Sequence, residues 1–127
     1  RAHLVMAIVD PYTAPTGTFS YSGLFAAGLR AYGSSIETGS FTMSANFSTK
    51  AVVFNGQTAS YSLTGNAILD SDAGTFNSNT FRFGDAYYYY DASIYGLMGG
   101  SGATATSGVF HTAGQNPDYA GAFVGQR

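Results

Sequence analysis

The chain is 127 residues long, carries a formal net charge of −2 and has charged side chains at only 9% of its positions, against about 25% in ordinary soluble domains. Its cations, Arg1, Arg30, Lys50, Arg82 and Arg127, are scattered, which excludes the clustered phosphate contacts of nucleic-acid binding and the polybasic patch of anionic-membrane binding. The absence of cysteine excludes disulfides, thiolate catalysis and cysteine-ligated zinc.

The first segment, residues 2–9, is an apolar run ended by Asp10-Pro11. It is too short for a membrane helix, which needs about 20 apolar residues, and it reads as an arm or an extra strand. Residues 1–16 are accordingly taken as arm and linker, and 17–127 as one domain. A first residue of Arg1 fits a chain that follows a removed signal or belongs to something longer.

From Gly17 the apolar residues alternate. Phe19, Tyr21 and Phe25 share one face, with Ser20 and Ser22 on the other, as a half-buried strand requires. Ala26 to Ala31 has room for one helical turn, and Gly33-Ser34-Ser35 reads as a loop. Phe41, Met43, Ala45 and Phe47 then alternate with Ser40, Thr42, Ser44 and Asn46. Thr49-Lys50 is a tight turn, and Ala51 to Asn55 a third strand with Val52 and Phe54 inward. Gly56 is expected to turn the chain. Ala59, Tyr61 and Leu63 begin a fourth strand, bulged at Gly65-Asn66. Asp70-Ser71-Asp72-Ala73-Gly74 is a turn, and Phe76 to Phe83 a fifth strand.

Three aromatic-and-glycine phrases close the chain, at 92–100, 107–110 and 120–127. About eight short strands with short connections predict an all-β fold, a single antiparallel up-and-down barrel. The recurrent Gly-x-Phe phrase places a small residue beside a large one, which lets a narrow interior fill without overpacking.

Candidate sites are few. The run Tyr87-Tyr88-Tyr89-Tyr90 is the most unusual. Alternation predicts two rings inward and two outward. Exposed tyrosines suit a binding surface, and a tyrosinate is a known haem-iron ligand. His3 and His111 are the only histidines, and a barrel that brought them together would offer a metal or haem site. Asp70, Asp72, Asp85 and Asp91 would form a calcium site only if gathered at one barrel end, and the bidentate glutamate of an EF-hand loop is missing. The one glutamate, Glu37, falls in a predicted loop. Paired carboxylates for glycoside cleavage, a nucleophile elbow and a zinc helix motif are all absent.

With the strands in place, the sequence resembles the C-lobe-type barrel domains of the transferrin-binding protein B-like family. The phrases that carry the resemblance are Gly17-Thr18-Phe19-Ser20-Tyr21-Ser22-Gly23, residues 39–47, Leu63-Thr64-Gly65-Asn66, Ile94-Tyr95-Gly96, Ser107-Gly108-Val109-Phe110, and the closing Gly121-Ala122-Phe123-Val124-Gly125-Gln126-Arg127. In order, they span nearly all of residues 17–127. The chain departs from the family after Gly96, where Leu97-Met98-Gly99-Gly100 replaces the usual proline and acidic residue.

The resemblance implies a non-enzymatic binding module of a bacterial surface or secreted protein, lipid-anchored from further N-terminal. Its loops at one barrel end, near 26–38, 84–92 and 97–105, would capture a host protein, a haem protein or haem. No bound cofactor is expected apart from haem. The residues expected to make contact are Tyr87, Tyr88, Tyr89, Tyr90, Met98 and His111. An alternative is a carrier of a small hydrophobic ligand with a lipocalin-like cavity, since eight strands enclose room for a packed core or one small ligand. A membrane-embedded barrel would instead need its apolar face outward.

Overall fold

The computed structural model describes residues 11–30, 35–114 and 118–127. They form eight strands: β1 (Thr18–Leu29), β2 (Ile36–Asn46), β3 (Ala51–Gln57), β4 (Ser62–Asp70), β5 (Thr75–Gly84), β6 (Tyr89–Gly99), β7 (Ala105–Thr112) and β8 (Tyr119–Gln126). Each pairs antiparallel with the next, and β8 returns to β1 from Ser22↔Gln126 to Leu29↔Tyr119. The barrel is therefore closed, and the all-β, eight-stranded prediction is the observed fold. No helix occurs among the described residues.

Alternation decides what fills it. Phe41, Met43 and Ala45 of β2 are buried, while the alternating Ser40 and Thr42 are exposed. The Phe54 ring lies 4.8 Å from Phe123, 5.2 Å from Phe41 and 6.0 Å from Phe81, centroid to centroid. Phe110 continues the stack at 5.6 Å from Phe25 and 5.3 Å from Phe83. Each buried ring of this kind contributes about 1.5–3 kcal/mol before its lost entropy is counted.

Small-beside-large packing is present, but between strands. The Phe76 ring covers Gly96 of β6, Phe81 covers Gly65 of β4, and Phe25 covers Gly56 of β3. The pairing of Gly56 with both Phe41 and Leu63 inside β3 corrects the expectation of a turn there. The turn falls at 58–61, closed by the Thr58 amide donating to the Tyr61 carbonyl at 2.9 Å. Of Ala26 to Ala31, read as room for one helical turn, residues 26–29 are the end of β1 and Ala31 lies outside the described residues. Pairing on both sides, with β2 and β8, overrides the helix preference of alanine there. Glu37 likewise lies in β2, opposite Ala27, rather than in a loop.

The bulge is also displaced from its predicted place. Thr64↔Arg82 and Ile68↔Asn77 bracket a one-residue shift, and so do Ser78↔Ile94 and Phe81↔Ala92 on the other side. Both shifts put the extra residue on β5, at Asn79-Thr80, and not at Gly65-Asn66. Those two positions are consecutively exposed, so Phe76 and Phe81 both face inward although an odd number of residues separates their parities. The Ser78 hydroxyl accepts the Thr80 amide at 3.1 Å and holds the kink.

The two barrel ends differ. One gathers residues 11–17 and the β2–β3, β4–β5 and β6–β7 turns. There the Tyr12 hydroxyl donates to the Ser71 carbonyl at 2.6 Å, and the Thr13 amide to the Gly100 carbonyl at 3.2 Å. The buried Tyr21 hydroxyl donates to the Ala103 carbonyl at 2.6 Å, and the Arg127 guanidinium sits 4.3 Å over the Phe19 ring. The other end carries the β1–β2, β3–β4, β5–β6 and β7–β8 connections, and with them the tyrosine run. The loop near 97–105, expected beside those near 26–38 and 84–92, therefore lies at the opposite end, because an odd number of strands separates it from them.

Candidate binding end

The tyrosine run begins in a turn, and this changes which way its rings point. Residues 85–88 precede β6, so strand alternation applies only from Tyr89 onward. Tyr87, Tyr88 and Tyr89 are exposed at 86%, 65% and 69%, and Tyr90 alone packs against the core. Three rings out and one in replaces the expected two and two.

Asp85 fixes this turn. Its Oδ1 accepts the Tyr87 and Tyr88 amides, both at 2.8 Å. Its Oδ2 accepts the Tyr119 hydroxyl at 2.7 Å and the Tyr90 hydroxyl at 3.2 Å. Burial works against the charged carboxylate, but these hydrogen bonds outweigh it and leave Asp85 below the ordinary aspartate value. The same contact acts in reverse on Tyr119. Burial first, then the Asp85 carboxylate, pushes its phenol well above the usual tyrosine range.

Behind the exposed rings the barrel mouth is plugged. Tyr119 lies 4.7 Å from Phe83, 5.3 Å from Tyr61 and 5.6 Å from Tyr90. Tyr88 joins this cluster at 6.4 Å from Tyr90. Glu37 secures the neighbouring turn, accepting from the Thr58 hydroxyl at 2.7 Å, the Ser60 hydroxyl at 2.6 Å and the Ser60 amide at 3.0 Å. The side-chain hydrogen bonds from Ser60 and Thr58 hold Glu37 below its ordinary value. On β7, the Thr112 hydroxyl donates to Asp118 at 2.6 Å and accepts the Tyr119 amide at 2.9 Å.

The other predicted contact residues separate. His111 is at the same end but points outward from β7, opposite Ser93 and Ala120, with Nδ1 3.0 Å from the Thr112 carbonyl. His3 lies outside the described residues. Met98 faces the interior of β6 at 5% exposure, toward the opposite end, because it shares the inward parity of Ile94 and Gly96. The four aspartates do not gather either. Asp70 shapes the β4–β5 turn by accepting the Asp72 and Ala73 amides at 3.1 and 3.2 Å, a barrel length from Asp85. Among the described residues no group of three or more histidines, aspartates or glutamates is arranged to hold a metal ion.

A haem held at this end would need an apolar slot beside its axial ligand. The Tyr90 and Tyr119 hydroxyls are committed to Asp85, and their rings are packed on Phe83 and Tyr61. Tyr87 and Tyr88 on the turn and Tyr89 at the start of β6 are exposed. A lipocalin-like cavity finds no room along an axis filled by Phe25, Phe54, Phe110 and Phe123. Among the grooves that open on the outer wall, two contrast in character. One, of about 500 Å³, is lined by Ser20, Ser22, Thr42, Ser44 and Asn55. The other, of about 270 Å³, is lined by Leu24, Ala26, Ala122 and Val124.

Asp85 and Tyr119 are the residues that sequence reasoning missed as site-forming. An aspartate two and three residues ahead of the amides it caps is a local signal. The Tyr119 contact, 34 positions away, has none.

No family model matches the sequence, and no curated protein matches it. Solved structures do. The isotype 1 transferrin binding protein B from serogroup B Neisseria meningitidis superposes with a TM-score of 0.69 at 15% identity, over 91% of this chain and 28% of that one. A transferrin binding protein B variant from Haemophilus parasuis Hp5 gives 0.64 at 16% identity, over 91% and 27%. Intact two-lobed Ap-TbpB gives 0.65 at 15% identity, over 91% and 27%. The chain thus spans little more than a quarter of the length of these structures, and its fold is that of a transferrin-binding protein B barrel.

Proposed function

We propose that the chain is a non-enzymatic binding module of a bacterial surface or secreted protein, and that it captures a protein partner, a host protein in the first instance, through its tyrosine-bearing end. One observation carries this reading. Three consecutive tyrosines stand exposed, Tyr87 and Tyr88 on a turn that Asp85 ties to the barrel and Tyr89 at the start of β6. Apolar rings held out to water cost stability unless something else covers them. Tyrosine also offers wide contact area with few torsions to freeze. A turn already fixed by hydrogen bonds loses little further entropy on docking. The structurally similar proteins are transferrin binding proteins, which supports the class of function.

The test is a pull-down from host plasma with the wild-type chain and a Tyr87→Ser/Tyr88→Ser/Tyr89→Ser variant. Retention of a discrete plasma protein by the wild type, lost in a variant with an unchanged Tm, supports the reading. Equal retention by both moves the contact elsewhere. An absorbance scan of the retained fraction reports whether that protein carries haem.

A further inference from the structure

The charges of the described residues divide unevenly between the two barrel ends. At the arm-bearing end Asp70 and Asp72 are matched by Lys50 and Arg127. At the tyrosine end Glu37, Asp85, Asp91 and Asp118 face only Arg30 and Arg82. Arg30 is taken up by Asp118, at 3.2 Å. The excess negative charge of the described chain therefore lies at the tyrosine end. Glu37 and Asp85 are held there by their hydrogen bonds.

The remaining cation shows what the tyrosine faces accept. The Arg82 guanidinium carbon sits 5.7 Å over the Tyr89 ring centroid, a cation–π distance. Tyr87 and Tyr88, side by side at 6.4 Å between centroids, are the two most solvent-open faces left without such a cation among the described contacts. Asp91 is exposed on the outward face of β6, two positions from Tyr89.

This step rests on the docking end proposed above and names the chemistry of what docks. We propose that the partner presents a basic segment, whose lysine or arginine side chains lie on the faces of Tyr87 and Tyr88 and meet the field of Asp91, Asp85 and Glu37. Aromatic faces and carboxylates both favour a cation, and rim charges act mainly by steering the encounter.

Hexa-arginine and hexa-glutamate peptides serve as probes, titrated into the chain while the tyrosine ring signals are followed by NMR. Hexa-arginine is expected to shift the Tyr87 and Tyr88 rings, with affinity falling about tenfold between about 20 and about 200 mM salt. Asp91→Asn, which removes one exposed charge, is expected to weaken it about two- to fivefold at low salt. Hexa-glutamate is expected to leave the rings unmoved. The proposal is overturned by an unresponsive ring pair, by an equal response to hexa-glutamate, or by undiminished hexa-arginine affinity in a Tyr87→Ser/Tyr88→Ser variant. If hexa-arginine fails while plasma capture still depends on the tyrosines, the basic partner falls and the docking end stands. If capture ignores the tyrosines, the docking end itself falls.

Discussion

Tyr119 donates its phenolic hydrogen to Asp85 at 2.7 Å, joining the first residue of the last strand to the turn that displays the tyrosines. The same carboxylate holds the Tyr87 and Tyr88 amides, so the posture of the exposed rings is set from β8. Tyr119→Phe keeps the ring packing and removes this one bond. A hydrogen bond to a charged acceptor is worth about 1.5–3 kcal/mol when buried. With Asp85 half open to solvent, a loss of about 1–2 kcal/mol is expected, or a few °C in Tm. Amide exchange at Tyr87 and Tyr88 is expected to quicken more than exchange in β2 or β3. Unchanged exchange at the turn would show that Tyr119 does not brace it.

Asp85 and Glu37 also give the fold an acid dependence of defined sign. Both carboxyls are held below their ordinary values in the folded chain. The stability they contribute is fully present above the unfolded carboxylate range, about 3.9–4.3. It drains away as pH falls through the lower folded values. Melting curves taken from about pH 7 to about pH 2 are expected to be flat at first and then to drop. Asp85→Asn is expected to start lower at neutral pH and to drop less. A variant whose acid limb parallels that of the wild type would assign the dependence to other carboxylates.

What the sequence made legible, and what it hid, follows from how far each signal reaches along the chain. The strand faces of Phe41-Met43-Ala45 and Val52-Phe54 are local alternations, and they are present as expected. Closure was legible in aggregate, from many short strands with short connections. Gly56 misled because a glycine in a strand and a glycine in a turn look alike in one dimension. Only the Phe25 ring, brought in from β1, distinguishes them. The bulge at Asn79-Thr80 was hidden because its evidence is a parity conflict between Phe76 and Phe81, both on a strand read as regular. At the binding end, the tyrosines were visible but their directions were not. Those depend on where β6 begins, which the Asp85 turn decides.

The glycine under a ring is a requirement for space, and Gly96 tests it. A Cβ at this position would clash with the Phe76 ring, meeting three of its atoms. Phe76 is 1% exposed and has no free volume into which to retreat. Gly96→Ala gains a little from unfolded-state entropy, but overpacking a filled core costs about 1–3 kcal/mol. A net fall in Tm of several °C is expected. Pairing the change with Phe76→Leu should recover part of it, since the two positions share one contact. A single variant as stable as the wild type would mean that the interior is looser than its ring contacts indicate.

The bulge on β5 makes a prediction that runs against the usual rule for deletions in strands. Removing one residue from a regular strand turns every side chain beyond it to the opposite face. Deleting Asn55 from β3 would do this, setting either Phe54 or Gly56 out of register with β2 and β4, and the chain is expected not to fold. Deleting Asn79 removes a residue that has no counterpart on either neighbour. Phe76 and Phe81 would then share a parity without a kink, and both ladders could run unbroken from Leu69↔Phe76 to Leu63↔Phe83. The Asn79 deletion is therefore expected to fold with its β-sheet circular dichroism intact and a Tm within about 10 °C of the wild type, losing chiefly the local bend that the bulge supplies. If it fails as completely as the Asn55 deletion, that bend is itself needed to close the barrel.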